Sequence, residues 1–468
     1  MNIRLSPFEA IIWRAGQDAT LRLNVGALFL LDRAPKYEEL VERVRAVVEQ
    51  APRLHWLPDD PTFSRIRPVW VEEVTPDVEN HVRSAEVAPP GSIRQVLDLI
   101  TLLEVVPFDP ERSPWDVTLV HGFGADRAAL YLRAHHVLTD GIGGVGLVEG
   151  LLDHPDGRTP VPTPRANRRN WSEGASDDSD TGVARRPGTI TIDVGRVVRS
   201  WSAGIDVARD VQPLETVVRG FQRGLDLANS VSRQVIVTGG PLSPSPPAHS
   251  MLSRFDVVSV DDARHTACAL GGSRNDLLVV AAAAALGLYY ERSGKSCPKV
   301  RVAMPARRTR DGTSGGNWFA PARLEVPATP DRPQRQFGIV SERLTQARHE
   351  PALRYTASLA SAISRLPNRV LLPAFHAQAD SIDLAVTALP GLHGEPRVCG
   401  AKVHAAYPLG PRLGIPLNIT AFGNNGGLDV GVALDPAAIT DPDGFRECLI
   451  EMFARLVPAG VTQATDTA

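Results

Sequence analysis

Long hydrophobic runs, paired cysteines and an excess of charge of one sign are all missing from this sequence. Its most apolar stretch, residues 277–290, is shorter than the roughly 20 residues that a membrane-spanning helix needs. The first residues show no apolar run followed by a small-residue cleavage site, which disfavours a secretory signal. The four cysteines lie far apart without a Cys-x-x-Cys pair, so neither a disulfide framework nor a zinc site is indicated. We therefore expect a cytoplasmic protein, attached to lipid surfaces at most peripherally.

Several common kinds of function leave no trace in the sequence either. The formal net charge of −3 gives no general attraction to nucleic acid. The sequence has no Gly-x-Ser-x-Gly motif, which disfavours a serine hydrolase, and no Rossmann or P-loop glycine pattern between a strand and a helix. The residues that are present, 43% hydrophobic and 22% charged, are ordinary for a globular protein that buries a large core.

The length and a change of composition predict how the chain is divided. At 468 residues it is too long for one ordinary domain of about 150 residues. Between residues 155 and 188, proline, serine and aspartate replace large apolar residues, which is typical of a polar, partly disordered linker. The linker separates two predicted lobes, residues 1–154 and 189–468. Strand-like and helix-like apolar patterns follow one another, which predicts an α/β or α+β fold.

Two adjacent histidines stand where a predicted strand ends. Residues 128–133 (AALYLR) form a short apolar run that predicts a mostly buried strand, and His135 and His136 follow it. Beyond Asp140 and Gly141, apolar residues recur at helical spacing, which predicts a glycine-rich helix. The pattern His-His-x-x-x-Asp-Gly therefore joins a strand to a helix, and such a junction is a common place for reactive groups.

The pattern suits acid–base chemistry by one imidazole, whose ordinary pKa lies near neutral pH. His136, nearer the turn, is the candidate base. Asp140 would orient the ring or anchor the turn through an arginine, and Gly141 would let a ligand approach the backbone closely. Packing or surface histidines are the ordinary alternative for such a pair. A metal site is disfavoured because adjacent histidines on a strand end point in different directions.

The second half of the chain contributes two further candidate groups. Ser273 and Asp276 have the spacing of a helix cap, and the apolar residues that follow predict a buried helix. A helix N-terminus favours developing negative charge, so Asn275 is a candidate oxyanion or orienting residue, with a plain capping pair as the alternative. Arg307 and Arg308 lie on a glycine-rich loop that would suit phosphate groups, unless the loop is simply solvated.

The sequence resembles the bacterial wax ester synthase/diacylglycerol acyltransferase family, within the superfamily of CoA-dependent acyltransferases. Residues 134–141 (AHHVLTDG) carry the superfamily signature His-His-x-x-x-Asp-Gly. Four further segments resemble landmarks of the family in the family's order: residues 5–10 (LSPFEA), residues 107–115 (PFDPERSPW), the pair Asn275 and Asp276, and residues 417–420 (LNIT) with residues 434–436 (LDP). Together they span nearly the whole chain.

The resemblance implies two lobes like chloramphenicol acetyltransferase, with a substrate tunnel between them and His136 inside it. It implies acyl transfer from acyl-CoA, as co-substrate rather than cofactor, to a diacylglycerol or long-chain alcohol, with no metal. In that frame Arg307 and Arg308 would meet the phosphates of coenzyme A. The chain departs from the family where Ala388 replaces the asparagine of Ser-Asn-Val-Pro-Gly-Pro, and where Gly423 stands in the region of a common tyrosine.

These departures leave the acceptor open. One alternative is an acyltransferase of the same fold that acts on the hydroxyl or amine of a specialised metabolite, or that takes its acyl group from a carrier protein. Another is a non-catalytic module that binds acyl lipids, although the intact His136, Asp140 and Gly141 argue against it. The sequence indicates neither the acyl chain length nor the oligomeric state.

Overall fold

The computed structural model describes most of the chain outside one long central segment. The described residues are 3–21, 23–59, 68–72, 77–124, 126–139, 141–153, 242–244, 250–306, 320–348, 360–361, 363–392, 394–457 and 461–462. The predicted linker, residues 155–188, lies outside them.

The first part of the chain alternates strands and helices, as predicted. Its elements are β1 (Ile3–Arg4), α1 (Pro7–Gly16), β2 (Asn24–Leu31), α2 (Tyr37–Gln50), β3 (Trp56–Asp59), β4 (Val69–Glu72), β5 (Val82–Glu86), α3 (Ile93–Val105), β6 (Trp115–Phe123), β7 (Arg127–His135) and α4 (Gly141–Leu151). Two short 3₁₀ turns, Pro52–His55 and Val78–Asn80, precede β3 and β5.

The second part continues the mixed pattern around a long helix. Its elements are β8 (Arg254–Val260), α5 (Ala263–Ala269), α6 (Arg274–Arg292), β9 (Lys299–Ala306), β10 (Ala320–Pro327), α7 (Pro333–Arg348), α8 (Asn368–Ala379), β11 (Leu384–Leu389), β12 (Arg397–Val398), β13 (Ala401–Leu409), β14 (Leu417–Asn424), β15 (Gly427–Leu434), α9 (Pro442–Leu456) and β16 (Val461–Thr462). The prediction of a mixed α/β fold is confirmed.

Capping chemistry written in the sequence fixes where three of the helices begin. Ser6, Ser92 and Ser273 each accept a hydrogen bond from the backbone of the third helical residue, whose side chain bonds back to the serine N–H. Each of these capping boxes satisfies two backbone donors that the first helical turn would otherwise leave unpaired. The start of α6 that the spacing of Ser273 and Asp276 predicted is therefore confirmed.

Two large sheets share the described strands, with a small three-stranded sheet (β1-β4-β3) beside them. The first sheet has the order β12-β13-β2-β7-β6-β5, and the second has the order β10-β9-β11-β14-β15-β8-β16. In the second sheet β9, β11 and β14 run parallel, so their carboxyl ends lie at one edge. Helix α6 is buried from Asp276 to Tyr290 and packs with α7 and α9 against this sheet.

One strand crosses between the two halves of the chain. β13, from the second half, pairs antiparallel with β2 of the first sheet, from Val403 opposite Leu31 to Leu409 opposite Gly26. The sheets therefore do not follow a simple division of the sequence, because residues 397–409 complete the first sheet. The division into lobes 1–154 and 189–468 remains a prediction. Among the helices that the structure describes, none is long and apolar enough to cross a membrane.

Candidate functional site

The histidine pair lies at the end of the central strand β7, which is paired on both sides. His135 is opposite Asn24 of β2, and Ala134 is opposite Trp115 of β6. Backbone hydrogen bonds continue past the strand: the His135 N–H donates to the Pro114 carbonyl, and the His136 N–H donates to the Leu23 carbonyl, both at 2.8 Å. The turn before α4 is thus held by neighbouring strands, as the strand–turn–helix prediction requires.

His135 is a buried residue with one ring nitrogen in a local hydrogen bond. It is 4% exposed, and its Nδ1 accepts a hydrogen bond of 3.1 Å from the Val137 N–H. Because Nδ1 accepts, the neutral ring carries its proton on Nε2. Burial, with a smaller contribution from the neighbouring His136, lowers the pKa of His135 to about 3. His135 therefore stays uncharged at neutral pH and braces the turn.

The other side of the His135 ring is covered by helix α1. The Trp13 ring lies edge-on to it, with 5.1 Å between ring centroids. Gly16 is closer still, because a Cβ placed on that residue would lie 2.1 Å from His135 Nε2. Only glycine leaves room for the ring at this crossing. Sequence analysis missed Trp13 and Gly16, which lie beyond the family-like segment 5–10.

Helix α1 is itself held in place by a buried carboxylate. Glu9 is 2% exposed, and its Oε1 lies 2.6 Å from a guanidinium nitrogen of Arg53. Its Oε2 accepts hydrogen bonds from the Ser6 N–H at 2.7 Å and from the Trp70 indole at 3.4 Å. Glu9, the third helical residue of the capping box, thus also binds α1 to Arg53 and Trp70. Its position carries Trp13 and Gly16 onto His135.

His136 differs from its neighbour in exposure. It is half-buried, while His135 before it and Val137 after it are buried. His136 lies in the loop between β7 and α4, and its role as the catalytic base stays a prediction. Helix α4 begins at Gly141, as the sequence predicted, while Asp140 lies outside the described residues.

A buried arginine ties the strand of the histidines to α3. Arg133 has a side chain 1% exposed and binds both carboxylate oxygens of Asp116, its partner across β6 and β7. The same guanidinium donates to the carbonyls of Leu103 and Val106 at the end of α3, and it lies 4.3 Å from the centroid of the Phe108 ring. Burial of a charge is tolerated when it is paired and fully hydrogen-bonded.

The family-like segment 107–115 supports the turn from the other side. Trp115 is buried and stacks on His81 with 4.0 Å between ring centroids, and its indole donates to the Leu54 carbonyl at 2.9 Å. Ser113 donates to the Trp56 carbonyl. With Pro114 receiving the His135 N–H, the segment acts as a structural support for the histidine turn.

Asn275 and Asp276 lie at the start of α6, next to the second sheet. Asp276 Oδ2 accepts hydrogen bonds from the Ser273 N–H at 2.9 Å and from the Ser341 hydroxyl at 3.1 Å, which is capping and packing. Asn275 is half-buried, and its amide nitrogen is buried without a hydrogen-bond partner in the part of the chain that the structure describes. A role for Asn275 in catalysis stays a prediction. Arg307 and Arg308 lie outside the described residues.

A cleft of about 430 Å³ opens between the two sheets. It is bounded by β13 of the first sheet, by the β14–β15 hairpin of the second, and by the loop after β11. Buried Phe422 and Leu392 line it, and both belong to the apolar cluster that contains Val137 and Leu138, the residues after His136. Sequence analysis did not predict this cleft, because no local pattern between residues 392 and 429 indicates that these segments face one another.

The comparisons with known proteins agree with this architecture. Residues 5–278 match the family model described as the wax ester synthase/diacylglycerol acyltransferase catalytic domain, and residues 315–457 match the WS/DGAT C-terminal domain. A Mycobacterium tuberculosis protein named for diacylglycerol O-acyltransferase activity is 28% identical over 462 residues, covering 96% of this chain and 90% of the relative. A second from that organism is 30% identical over 280 residues, covering 56% of this chain and 95% of the relative.

Solved structures show the same fold at low sequence identity. The wax ester synthase/diacylglycerol acyltransferase from Marinobacter aquaeolei VT8 superposes with a TM-score of 0.61 at 18% identity, covering 97% of this chain and 98% of that one. The starter condensation domain of rhizomide synthetase, solved with C8-CoA, gives a TM-score of 0.57 at 16% identity, covering 100% and 97% of the two chains.

The fold is one that condensation domains also have, and the family model that matches residues 5–278 defines the class of protein, an acyltransferase. Because the catalytic-domain model covers more than half of the residues, the family is established as well. The chain belongs to the wax ester synthase/diacylglycerol acyltransferase family. The resemblance read from the motifs is thus confirmed, and neither the specialised-metabolite acyltransferase nor the non-catalytic lipid-binding module is favoured.

Proposed function

We propose that the protein transfers a fatty acyl group from acyl-CoA to the hydroxyl of a diacylglycerol or long-chain alcohol, with His136 as general base. The observation that carries this proposal is the unequal pair at the end of β7. His135 is buried, neutral and engaged with Val137, while His136 is half-buried at the loop. One imidazole braces the turn, and the other, half-buried in the loop, is the proposed base.

The proposed reaction needs no covalent acyl-enzyme. The acceptor oxygen attacks the thioester carbonyl carbon while His136 takes the hydroxyl proton. The resulting tetrahedral oxyanion collapses, the carbon–sulfur bond breaks, and the coenzyme A thiolate takes up the proton. Asn275, with an amide nitrogen that lacks a described partner, is the proposed oxyanion donor.

Other parts of the proposal rest on the sequence. Asp140 and Gly141 shape the histidine loop, Asp276 caps the helix that presents Asn275, and Arg307 with Arg308 bind the phosphates of coenzyme A. No cofactor or metal is required. The proposed setting is cytoplasmic, with peripheral contact to a lipid surface where the acceptor is dissolved.

The test is thiol release from a long-chain acyl-CoA by the full chain, with hexadecanol, a diacylglycerol or no acceptor. His136→Ala removes the proposed base, so acceptor-dependent release should fall by about 10²-fold or more. The matched control is His121→Ala, which removes a half-buried histidine from the neighbouring strand β6 and should keep the native rate. A folded His136→Ala protein with undiminished turnover would contradict the mechanism.

A further inference from the structure

Helix α4, which follows the histidine loop, has a composition that disfavours a helix. Five of its 11 residues are glycine, and a glycine in a helix interior is less favourable than an alanine. A helix of this length is also marginal on its own in water. The position of α4 beside α2 and β11 must therefore come from contacts with the rest of the protein.

The chain directly after α4 is held by hydrogen bonds from both halves of the sequence. Arg43 of α2 donates to the Leu152 carbonyl at 2.7 Å and to the Asp153 carboxylate at 2.9 Å. The Asp153 N–H donates to the carbonyl of Arg397 in β12 at 2.7 Å. Because a helix leaves its last carbonyls unpaired, the guanidinium of Arg43 completes the end of α4.

The Asp153 carboxylate also binds the tight turn between β12 and β13. Its two oxygens accept hydrogen bonds from consecutive N–H groups, those of Cys399 at 3.1 Å and Gly400 at 2.7 Å. Both residues have a positive φ, 48° and 76°, and that conformation is unfavourable for the cysteine. Successive N–H groups that converge in this way form a nest for an anion. One side chain after α4 thus holds a turn from the second half of the chain.

The other end of α4 lies against the loop that carries His136. The helix begins at Gly141, and a Cβ placed on Gly144 would lie 3.8 Å from the methyl group of Thr139, at van der Waals distance. The first turn of α4 is therefore a neighbour of the loop. At about 1.5 Å per residue, the whole helix spans only about 16 Å. Loss of the anchor at its carboxyl end would let this glycine-rich helix shift or fray towards the loop.

We propose that Asp153 is a positioning residue for acyl transfer, which anchors α4 and thereby holds the loop that presents His136. The proposal rests on the role of His136 as the base. Asp153 touches no substrate and acts through the helix. Because the partners of its carboxylate come from α2 and from the turn between β12 and β13, the anchor is complete only when the second half of the chain has docked on the first.

The experiment compares kcat, KM and backbone hydrogen exchange in the full chain. Asp153→Asn keeps the size of the side chain, but it removes the charge that pairs with Arg43 and leaves one acceptor oxygen for two N–H groups. We expect kcat to fall at least fivefold, KM for a long-chain acyl-CoA to stay within twofold, and amide exchange in residues 141–151 to quicken at least tenfold. The matched control is Asp443→Asn, which removes a 2.7 Å pair with Arg254 and should change none of these quantities.

Rescue separates an effect on α4 from a general loss of stability. Gly146→Ala adds a methyl group to α4 and Gly338→Ala adds one to α7, and at both positions a Cβ would meet no neighbouring atom within 4 Å. Each alanine favours its own helix by a similar amount. In the Asp153→Asn protein, Gly146→Ala should restore at least half of the lost kcat and slow the exchange of residues 141–151. Gly338→Ala should restore neither.

Arg43→Gln provides a second variant, which should lower kcat and quicken exchange in the same segment. Native exchange of residues 141–151 in Asp153→Asn would overturn the proposal, and so would equal rescue by the two alanines. A higher KM for acyl-CoA at native kcat would overturn it as well, because Asp153 would then act on binding. If the unmodified protein released no thiol with any acceptor, the proposed reaction would be rejected, and the exchange rates would still decide whether Asp153 anchors α4.

Discussion

At the scale of single residues, two neighbouring histidines of identical chemistry have different environments. His135 is buried beneath Trp13 and has a pKa lowered to about 3, while His136 is half-buried at the loop. The difference follows from where β7 ends, since His135 is the last residue of the strand and His136 is the first residue of the turn. His135 therefore stabilises the turn, and the next residue, His136, is the proposed base.

The lowered pKa of His135 makes part of the stability depend on pH. In the unfolded chain this imidazole has its ordinary pKa of about 6.5, so below that pH the unfolded state binds a proton that the folded state does not. The contribution is therefore complete above about pH 6.5 and is lost as the pH falls towards 3. Between pH 7 and pH 5 the loss should be about 2 kcal/mol for this group alone.

His135→Asn tests this dependence, because an asparagine oxygen can still accept from the backbone N–H two residues on. The variant should be less stable at pH 7, having lost the ring contact, but its free energy of unfolding should fall less between pH 7 and pH 5. Urea unfolding at both pH values measures the difference. Equal pH dependence in the two proteins would show that His135 titrates normally in the folded state.

At the scale of elements, the segment at the start of the chain positions helix α1 against the histidine at the end of β7. The capping box of Ser6 and Glu9 starts the helix, Arg53 and Trp70 fix the carboxylate, and the helix then delivers Gly16 to His135. The family-like segment, residues 5–10, therefore makes no contact with His135 itself. It starts and anchors the helix whose later residues, Trp13 and Gly16, make that contact.

Gly16→Ala tests the importance of this crossing. The new methyl group would lie 2.1 Å from His135 Nε2, so the ring or the helix must move. We expect the rate of acyl transfer to fall at least tenfold, because the displaced ring no longer supports the His136 turn. The matched control is Gly338→Ala in α7, where a Cβ meets no atom within 4 Å and stability should rise by up to about 1 kcal/mol. Native turnover in a folded Gly16→Ala protein would show that the turn does not depend on the ring.

Local signals in the sequence predicted the elements well, and the site only in part. The helix start at Ser273 could be predicted because capping acts over three or four residues. The contact between Gly16 and His135 could not be predicted, since it joins residues far apart in sequence and depends on the angle at which two elements cross. Strand β13 was also missed, because Pro408 interrupts its pattern and no local signal indicates which strand it pairs with.

At the scale of the whole molecule, the pairing of β13 with β2 makes the two halves of the chain depend on each other. Without residues 397–409, strand β2 would be an edge with unpaired backbone groups along the six residues from Gly26 to Leu31. A buried ion pair adds to the connection, since Arg412 pairs with Asp435 at 3.6 Å and donates to the Thr20 carbonyl at 2.7 Å.

A chain cut after residue 153 should therefore not fold on its own. We expect residues 1–153 to aggregate when expressed alone, and to become soluble when co-expressed with residues 242–468, which supply β12 and β13. Light scattering and co-purification measure both outcomes. A monomeric fragment 1–153 with a cooperative unfolding transition would show that the first sheet does not need the borrowed strand.

The pairing of β13 with the first sheet also has a consequence for synthesis on the ribosome, because β13 is made long after the other large strands of that sheet. Strands β2, β5, β6 and β7 are complete once His135 has been made, but β13 begins only at Ala401. At about 5–20 residues per second, the intervening 265 residues (136–400) take roughly 15–50 s to translate. For that interval the nascent first sheet has an open hydrogen-bonding edge beside β2, exposed to other nascent chains. The first sheet can therefore be completed only after the second half of the chain has been made.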